Sequence, residues 1–269
     1  MSLQPPTSSI QPFRLTFLGT GTSHGIPMIG CDCSVCTSSD PRDQRLRTSI
    51  LLESPECQIL IDTTPDLRTQ CLREKINRID AVLLTHAHTD HIMGFDDVRR
   101  FCEMQDIAMP IYASPFTMGK VKDAFRFAFD NPKPWKNYLR LEPHFIEGPF
   151  ILGDLEIIPI ALPHGSMTTL GFIFQHQGKK LLAYYTDCQE VTEEALAAAA
   201  GAKVLVLDAL RETYHPTHLN FEGALNAATH INAETTYFIH FCHDIAHAKK
   251  EAELPANIKL AYDGLKINL

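Results

Sequence analysis

The sequence predicts an α/β domain built of two sheets flanked by helices, and three observations carry that expectation. Short apolar runs bounded by turn residues recur from Arg14 onward, several of them in hairpin order. Helical patterns are interleaved with these runs rather than segregated from them. No repeat at the ~20–50-residue periods of solenoids or propellers is present, and no low-complexity linker divides the chain. One domain is therefore expected over residues 13–269, behind a loose Pro-, Ser- and Gln-rich tail at residues 1–12.

In the first half, strands are expected over residues 15–18, 49–53, 58–61, 81–84 and 111–113. In the second half they are expected over 150–151, 155–160, 170–175, 180–185, 203–207, 236–239 and 259–261. The helical patterns between them cover 65–75, 94–105, 115–129, 192–200, 221–231 and 244–253. Thr192, followed by Glu194 and an Ala-rich run, is a well-formed helix opening. The stretch at residues 131–141 holds two Pro, the sole Trp and a Tyr; it reads as a surface excursion, a lid or a dimer contact.

Composition narrows the function classes. Across 269 residues, 24 Lys plus Arg against 32 Asp plus Glu leave a net charge of −8. With 45% apolar and 21% charged residues, the chain is ordinary for a globular protein, which excludes disorder, collagen and coiled coil. No apolar run approaches the roughly 18 residues of a membrane span. The first residues show no basic n-region or apolar h-region, so no signal peptide and a reducing, cytoplasmic setting are expected. The acidic balance disfavours nucleic acid as a default partner. Two counts stand out, 13 His and 8 Cys, and the Cys share is too small for a disulfide scaffold.

The strongest signal is Thr85-His86-Ala87-His88-Thr89-Asp90-His91, directly after the run at 81–84. Imidazole and carboxylate together suit borderline divalent cations such as Zn, Mn or Fe(II). His86 and His88, two apart in an extended segment, face one ion; Asp90 and His91 follow where the chain turns into a helix and face a second. Asp62, in LIDTTPD at another strand end, either orients a ligand imidazole or caps the helix at 65–75.

A second cluster, Cys31-Asp32-Cys33-Ser34-Val35-Cys36, places three thiols in a loop without apolar periodicity. Cys33 and Cys36 have the gap of a redox pair, but no thioredoxin-like context surrounds them. A structural Zn fits better and needs a fourth ligand, for which His243 is the first choice and Cys242 the second.

The spacing His-x-His-x-Asp-His resembles the signature of the metallo-β-lactamase superfamily. That resemblance implies a four-layer αβ/βα sandwich, with further ligands in chain order at strand ends: His164 in ALPHGS, Asp187 in YYTDC and His240 in YFIHF. It implies that His86, His88 and His164 bind one divalent metal (Zn or Mn), that Asp90, His91 and His240 bind another, and that Asp187 bridges them. The segments LTFLGTGTSHGIP, GCDCSVC, DPRDQRLRTS, ILIDTTPDLR, THAHTDH, YYTD, LDAL, HPTH and AYDG resemble one branch in particular. It is the branch of the phosphoribosyl 1,2-cyclic phosphate phosphodiesterase of phosphonate breakdown, and the likeness runs from Leu15 to about Leu265.

That branch implies a structural zinc on Cys31, Cys33, Cys36 and His243. It also implies hydrolysis of a small cyclic or nucleotide-like phosphodiester, with Asp90 and His218 as catalytic residues, His218 acting as general acid. His215 is the alternative to His218. Arg42, Arg45 and Arg47 are expected either to bind phosphate or to form surface salt bridges. A homodimer is implied by the resemblance alone. Two rival readings share the fold: processing of tRNA 3′ ends, and a non-catalytic binding or carrier protein of cofactor biosynthesis.

Overall fold

The computed structural model describes residues 13–130, 135 and 137–269. The first sheet contains β1 (Arg14–Gly19), β2 (Ser49–Glu53), β3 (Gln58–Ile61), β4 (Ala81–Leu83), β5 (Met109–Ala113) and β6 (Leu141–Phe145). The second contains β7 (Phe150–Leu152), β8 (Leu155–His164), β9 (Met167–His176), β10 (Lys179–Tyr185), β11 (Val204–Asp208), β12 (Thr235–Ile239) and β13 (Ile258–Leu260). A last strand, β14 (Lys266–Asn268), returns to the first sheet, giving seven strands in each: β14-β1-β2-β3-β4-β5-β6 and β13-β12-β11-β10-β9-β8-β7.

Period-two patterning assigns each strand's faces. In β10, Leu182 and Tyr184 enter the core between the sheets, while Ala183 and Tyr185 enter the core beneath the helices. In β11, Val204 and Val206 take the first of these positions, and Leu205 and Leu207 the second. The central core joins Leu15, Phe17, Ile59 and Leu83 of one sheet to Phe172, Phe174 and Ile239 of the other. Each such fully buried side chain contributes roughly 1.5–3 kcal/mol.

Helices close the outer faces. The first sheet is covered by α1 (Leu67–Glu74), α3 (Arg99–Gln105) and α4 (Pro115–Ala124), with the short α2 (Thr89–Ile92) and α5 (Arg126–Phe129) between and after them. The second is covered by α6 (Glu193–Ala199) and α7 (Phe221–Ile231), with α8 (His247–Glu251) beyond. In α7, Phe221, Ala224, Ala227, Ala228 and Ile231 form the buried stripe, Asn220 accepts from the Gly223 amide at 3.1 Å, and Asn232 ends the helix at φ +50°. The result is the expected αβ/βα sandwich. No helix among the described residues is long and apolar enough to cross a membrane.

The departures from expectation lie at edges and ends. β6 and β14 lack continuous apolar runs because both are edge strands with little burial. The strand expected to end at 160 continues through Pro163 to His164, because the β8–β9 hairpin extends the pairing to His164 opposite Met167. The helix expected over 115–129 breaks at Phe125, and the one over 94–105 opens as a 3-10 turn at Phe95–Val98. The helix expected from 244 starts at His247, since residues 243–245 belong to the cysteine loop's surroundings. Residues 131–134 and 136 of the 131–141 stretch lie outside the described residues; Trp135 and Tyr138 are exposed, and Leu139 is buried.

Candidate metal centre

Strand ends from both sheets supply the site. Asp62 follows β3, the segment Thr85–His91 follows β4, His164 ends β8, Asp187 follows β10, Asp208 ends β11 and His240 follows β12. Asp62, Asp187 and His240 adopt left-handed φ of +64°, +54° and +65°. Such conformations cost of order 1 kcal/mol or more for a residue with a Cβ, and here each turns a polar side chain into the site just past its strand.

Two groups of potential ligand atoms form, each with all its atoms within 4.8 Å of one another. In the first, His86 Nε2 and His164 Nε2 lie 3.0 and 3.3 Å from His88 Nδ1, and Asp187 Oδ2 lies 3.6 Å from His86 Nε2. In the second, Asp187 reaches His91 Nε2 and His240 Nδ1, each at 3.3 Å. Asp187 belongs to both groups. Asp90 stands one step aside, its Oδ2 lying 3.3 Å from His91 Nε2.

Hydrogen bonds behind the rings fix which nitrogens face inward. His91 Nδ1 donates to Asp62 Oδ2 at 2.7 Å, and His164 Nδ1 donates to the Thr217 carbonyl at 2.7 Å, which leaves a lone pair on each Nε2. The Thr85 hydroxyl donates to Asp62 at 2.8 Å, so it accepts from His86 Nδ1 at 3.0 Å and frees Nε2 there too. His240 differs: its Nδ1 lies between the Thr48 hydroxyl at 3.0 Å, which donates to the Gly21 carbonyl, and Asp187 Oδ1 at 3.3 Å, while its Nε2 lies 3.4 Å from the Thr22 hydroxyl. Oxygen partners of this kind are what orient metal-binding imidazoles.

The donor set fits divalent cations. His91 Nε2 is buried without a hydrogen-bond partner, although Asp187 and Asp90 stand beside it. Burial opposes charge on His91, yet Asp187, Asp90 and Asp62 together raise its pKa well above 6.5. A positive charge is therefore favoured at that nitrogen, and a proton or a metal ion satisfies the same demand.

Asp62 takes the orienting position rather than the capping one. Its buried carboxylate accepts from the Thr85 amide, the Thr85 hydroxyl and His91 Nδ1, while Asp66 stands at the start of α1.

His218 lies at the rim of the metal cleft, its ring stacked on His240 at 4.8 Å and edge-on to His164 at 4.7 Å. Its Nδ1 donates to Asp208 Oδ2 at 2.8 Å. Burial alone would lower its pKa, but the buried Asp208 carboxylate outweighs this and raises it to about 9. His215 faces a neighbouring compartment instead. Asp208 has no assigned role in the sequence reading, though its place at a strand end, like that of Asp62 and Asp187, is the signal that marks it.

The cysteine loop closes on His243. Its Nδ1 lies 3.3 Å from Cys31 Sγ, 3.5 Å from Cys33 Sγ and 4.0 Å from Cys36 Sγ. Tetrahedral zinc bonds of about 2.1–2.3 Å place ligand atoms roughly 3.5–3.8 Å apart, so these residues fit that ion. Backbone N–H groups of Cys36 and Met28 donate to Cys33 and Cys36 sulfur, at 3.4 and 3.3 Å. The half-buried Cys33 thiol is lowered to about 6, chiefly by the Cys36 amide, whereas desolvation raises Cys36 to about 11. Cys242, the alternative fourth ligand, instead donates to Asp244.

The three arginines are committed elsewhere. Arg42 pairs with Asp40 at 2.7 Å and Arg47 with Asp66 at 3.1 Å. Arg45 is not at the surface: it is 1% exposed and pairs with Asp43 at 2.9 Å. The expectation of surface salt bridges thus fails for Arg45, whose guanidinium packs over Phe241 and donates to the carbonyls of Arg42, Cys242 and Ile245.

A solved diphosphatase from the PhnP family is 39% identical, with a TM-score of 0.88 over 96% of this chain and 98% of that one. An octanoyltransferase of Porphyromonas gingivalis is 35% identical over 257 residues, 94% of this chain; the chain spans about half (51%) of that relative's length. A coenzyme PQQ synthesis protein B of Methylorubrum extorquens is 30% identical over 223 residues, 72% of each chain. The model of the beta-lactamase superfamily domain matches residues 58–241, the span that carries every strand end of the His and Asp cluster, and the chain belongs to the metallo-β-lactamase superfamily.

Proposed function

We propose that this protein is a metal-dependent hydrolase of a small cyclic or nucleotide-like phosphodiester. The observation that carries this reading is the orientation of His218, which donates through Nδ1 to Asp208 and stacks on His240 beside the cluster. An imidazole held so, with its pKa raised to about 9, keeps a proton on Nε2 at neutral pH and hands it to a departing alkoxide. Two divalent cations, when bound by His86, His88, His164, Asp187, Asp90, His91 and His240, supply Lewis acidity and lower the pKa of water. Asp62 keeps His91 in the binding tautomer, and Thr217 does the same for His164. The cleft lined by His88, Asp90, His164 and His218 measures about 290 Å³, a size that suits one diester with a compact substituent. Likeness to a PhnP-family diphosphatase supports phosphoryl chemistry.

The test is an assay of metal-replete protein against an aryl phosphodiester, 2′,3′-cyclic nucleotides, a 1,2-cyclic ribose phosphate, a nucleotide diphosphate diester, a tRNA precursor and a β-lactam. Turnover of a small diester is expected. Absence of diester turnover with Zn, Mn or Fe(II), or preference for the tRNA precursor, overturns the reading.

A further inference from the structure

We propose that Gln189 is a positioning residue of the metal centre: it brackets the backbone on both sides of His164 and ties that ligand to the segment of Asp187. This role deepens the metal-dependent hydrolase reading and rests on its metal centre, not on its substrate.

His164 is the one ligand of its group carried by the β8–β9 hairpin, and it stands at the hairpin's end, opposite Met167. The bond from its Nδ1 to the Thr217 carbonyl fixes the rotation of the ring but not the backbone beneath it. Gln189 supplies that second hold. Its amide donates to the Pro163 carbonyl at 2.9 Å, and its side-chain Oε1 accepts from the Gly165 amide at 2.8 Å. The two bonded residues are those immediately before and after His164. A backbone N–H only donates, so the half-buried Gln189 side chain must present its oxygen there. Gly165 has a left-handed φ of +61°, and a Cβ on it would meet Thr217 Cγ2 at 2.8 Å, so the turn also lies directly on the loop that carries His218.

The same short segment holds the other ligand. The Thr169 hydroxyl, from the β8–β9 hairpin, donates to the Asp187 carbonyl at 3.2 Å. Between Asp187 and Gln189, the Cys188 amide donates to Asp208 Oδ2 at 3.1 Å, and the Cys188 carbonyl accepts from the Leu219 amide at 2.8 Å. Residues 187–189 are thus bonded to the His164 hairpin and to the His218 loop at once. A metal site tolerates errors of only about 0.2 Å in its ligand distances, so the backbone that carries His164 has to be held as closely as the ring.

The test dialyses zinc-loaded protein against rising chelator concentrations and counts the zinc retained, while hydrogen exchange reads the Gly165 amide. In Gln189→Leu, the chelator concentration that removes the first ion is expected to fall about tenfold, the usual effect of losing an outer partner of a metal ligand. Gly165 exchange rises, whereas exchange within β8 and β9 stays as in the wild type. Gln189→Glu keeps the acceptor oxygen at the same reach and restores both readouts; Gln189→Asn is too short and behaves like Gln189→Leu. Unchanged zinc retention in Gln189→Leu, failure of Gln189→Glu to restore it, or exchange that rises throughout β8 and β9 overturns the proposal and leaves the hydrolase reading standing. Wild-type protein that retains no zinc beyond the ion of the cysteine loop overturns both.

Discussion

The carboxylate of Asp208 accepts a 2.8 Å hydrogen bond from His218 Nδ1, tying the last residue of β11 to the loop that lies over the metal cleft. Asp208 is fully buried and its other oxygen has no partner, so His218 is the group that offsets its charge.

Asp208→Asn is therefore expected to lower kcat by roughly 10²-fold or more, the usual worth of a positioned general acid. The sign in pH follows from the protonated form being the active one. In the wild type the basic limb of the kcat profile lies near the raised value of about 9; in the variant it moves down toward the ordinary ~6.5. A limb that stays in place counts against the role of His218.

Asp62→Asn keeps the shape and tolerates the left-handed φ of +64°, since Asn adopts that region readily. It weakens the hold on His91 Nδ1, and outer partners of this kind are worth about 10–100-fold in metal affinity. Metal analysis after dialysis is expected to show loss from the His91 group before loss from the His86 group.

Cys33→Ser is expected to remove zinc from the cysteine loop and lower Tm while leaving metal on the cluster of His86, His91 and Asp187. In metal-stripped protein at pH 7, the Cys33 thiol at about 6 is mostly thiolate and Cys36 at about 11 is not. Brief iodoacetamide treatment followed by peptide mapping should label Cys33 well ahead of Cys36; equal labelling contradicts the thiol assignment.

Arg45→Met leaves Asp43 buried without its cation and removes donors from the Cys242 and Ile245 carbonyls. Breaking one side of a buried pair costs about 3–5 kcal/mol, so urea denaturation should show a large loss of stability. Arg42→Met, at a half-exposed pair, should cost about 1 kcal/mol or less.

A single added methyl tests how α2 is seated. A Cβ on Gly94 meets the Thr64 carbonyl oxygen at 1.9 Å, where the Gly94 amide donates to Thr63. Gly94→Ala must push α2 away from the Asp62–Thr64 segment, at a cost of roughly 1–3 kcal/mol, and should reduce metal retention at the His91 group as well.

Much of this arrangement is legible in the order of residues alone. Apolar runs of strand length and the stripe of α7 repeat locally, so they announce two sheets and their helices without tertiary information. The dense run from His86 to His91 and the three thiols of the cysteine loop are equally visible, because those donors lie close along the chain. Edge strands β6 and β14 escape because little of them is buried and no apolar pattern is required of them.

Only the tertiary structure decides what depends on distance across the fold. It turns Asp62 toward His91 rather than toward the start of α1, and selects His218 over His215 at the metal cleft. It buries Arg45 against Asp43 and Phe241 and turns Arg211 onto the Thr213 and Tyr214 carbonyls. The physical reason is common to all four. Residue type fixes which bonds a side chain is able to make, but hydrogen bonds and ion pairs form over about 3 Å, and folding alone determines which partners come that close.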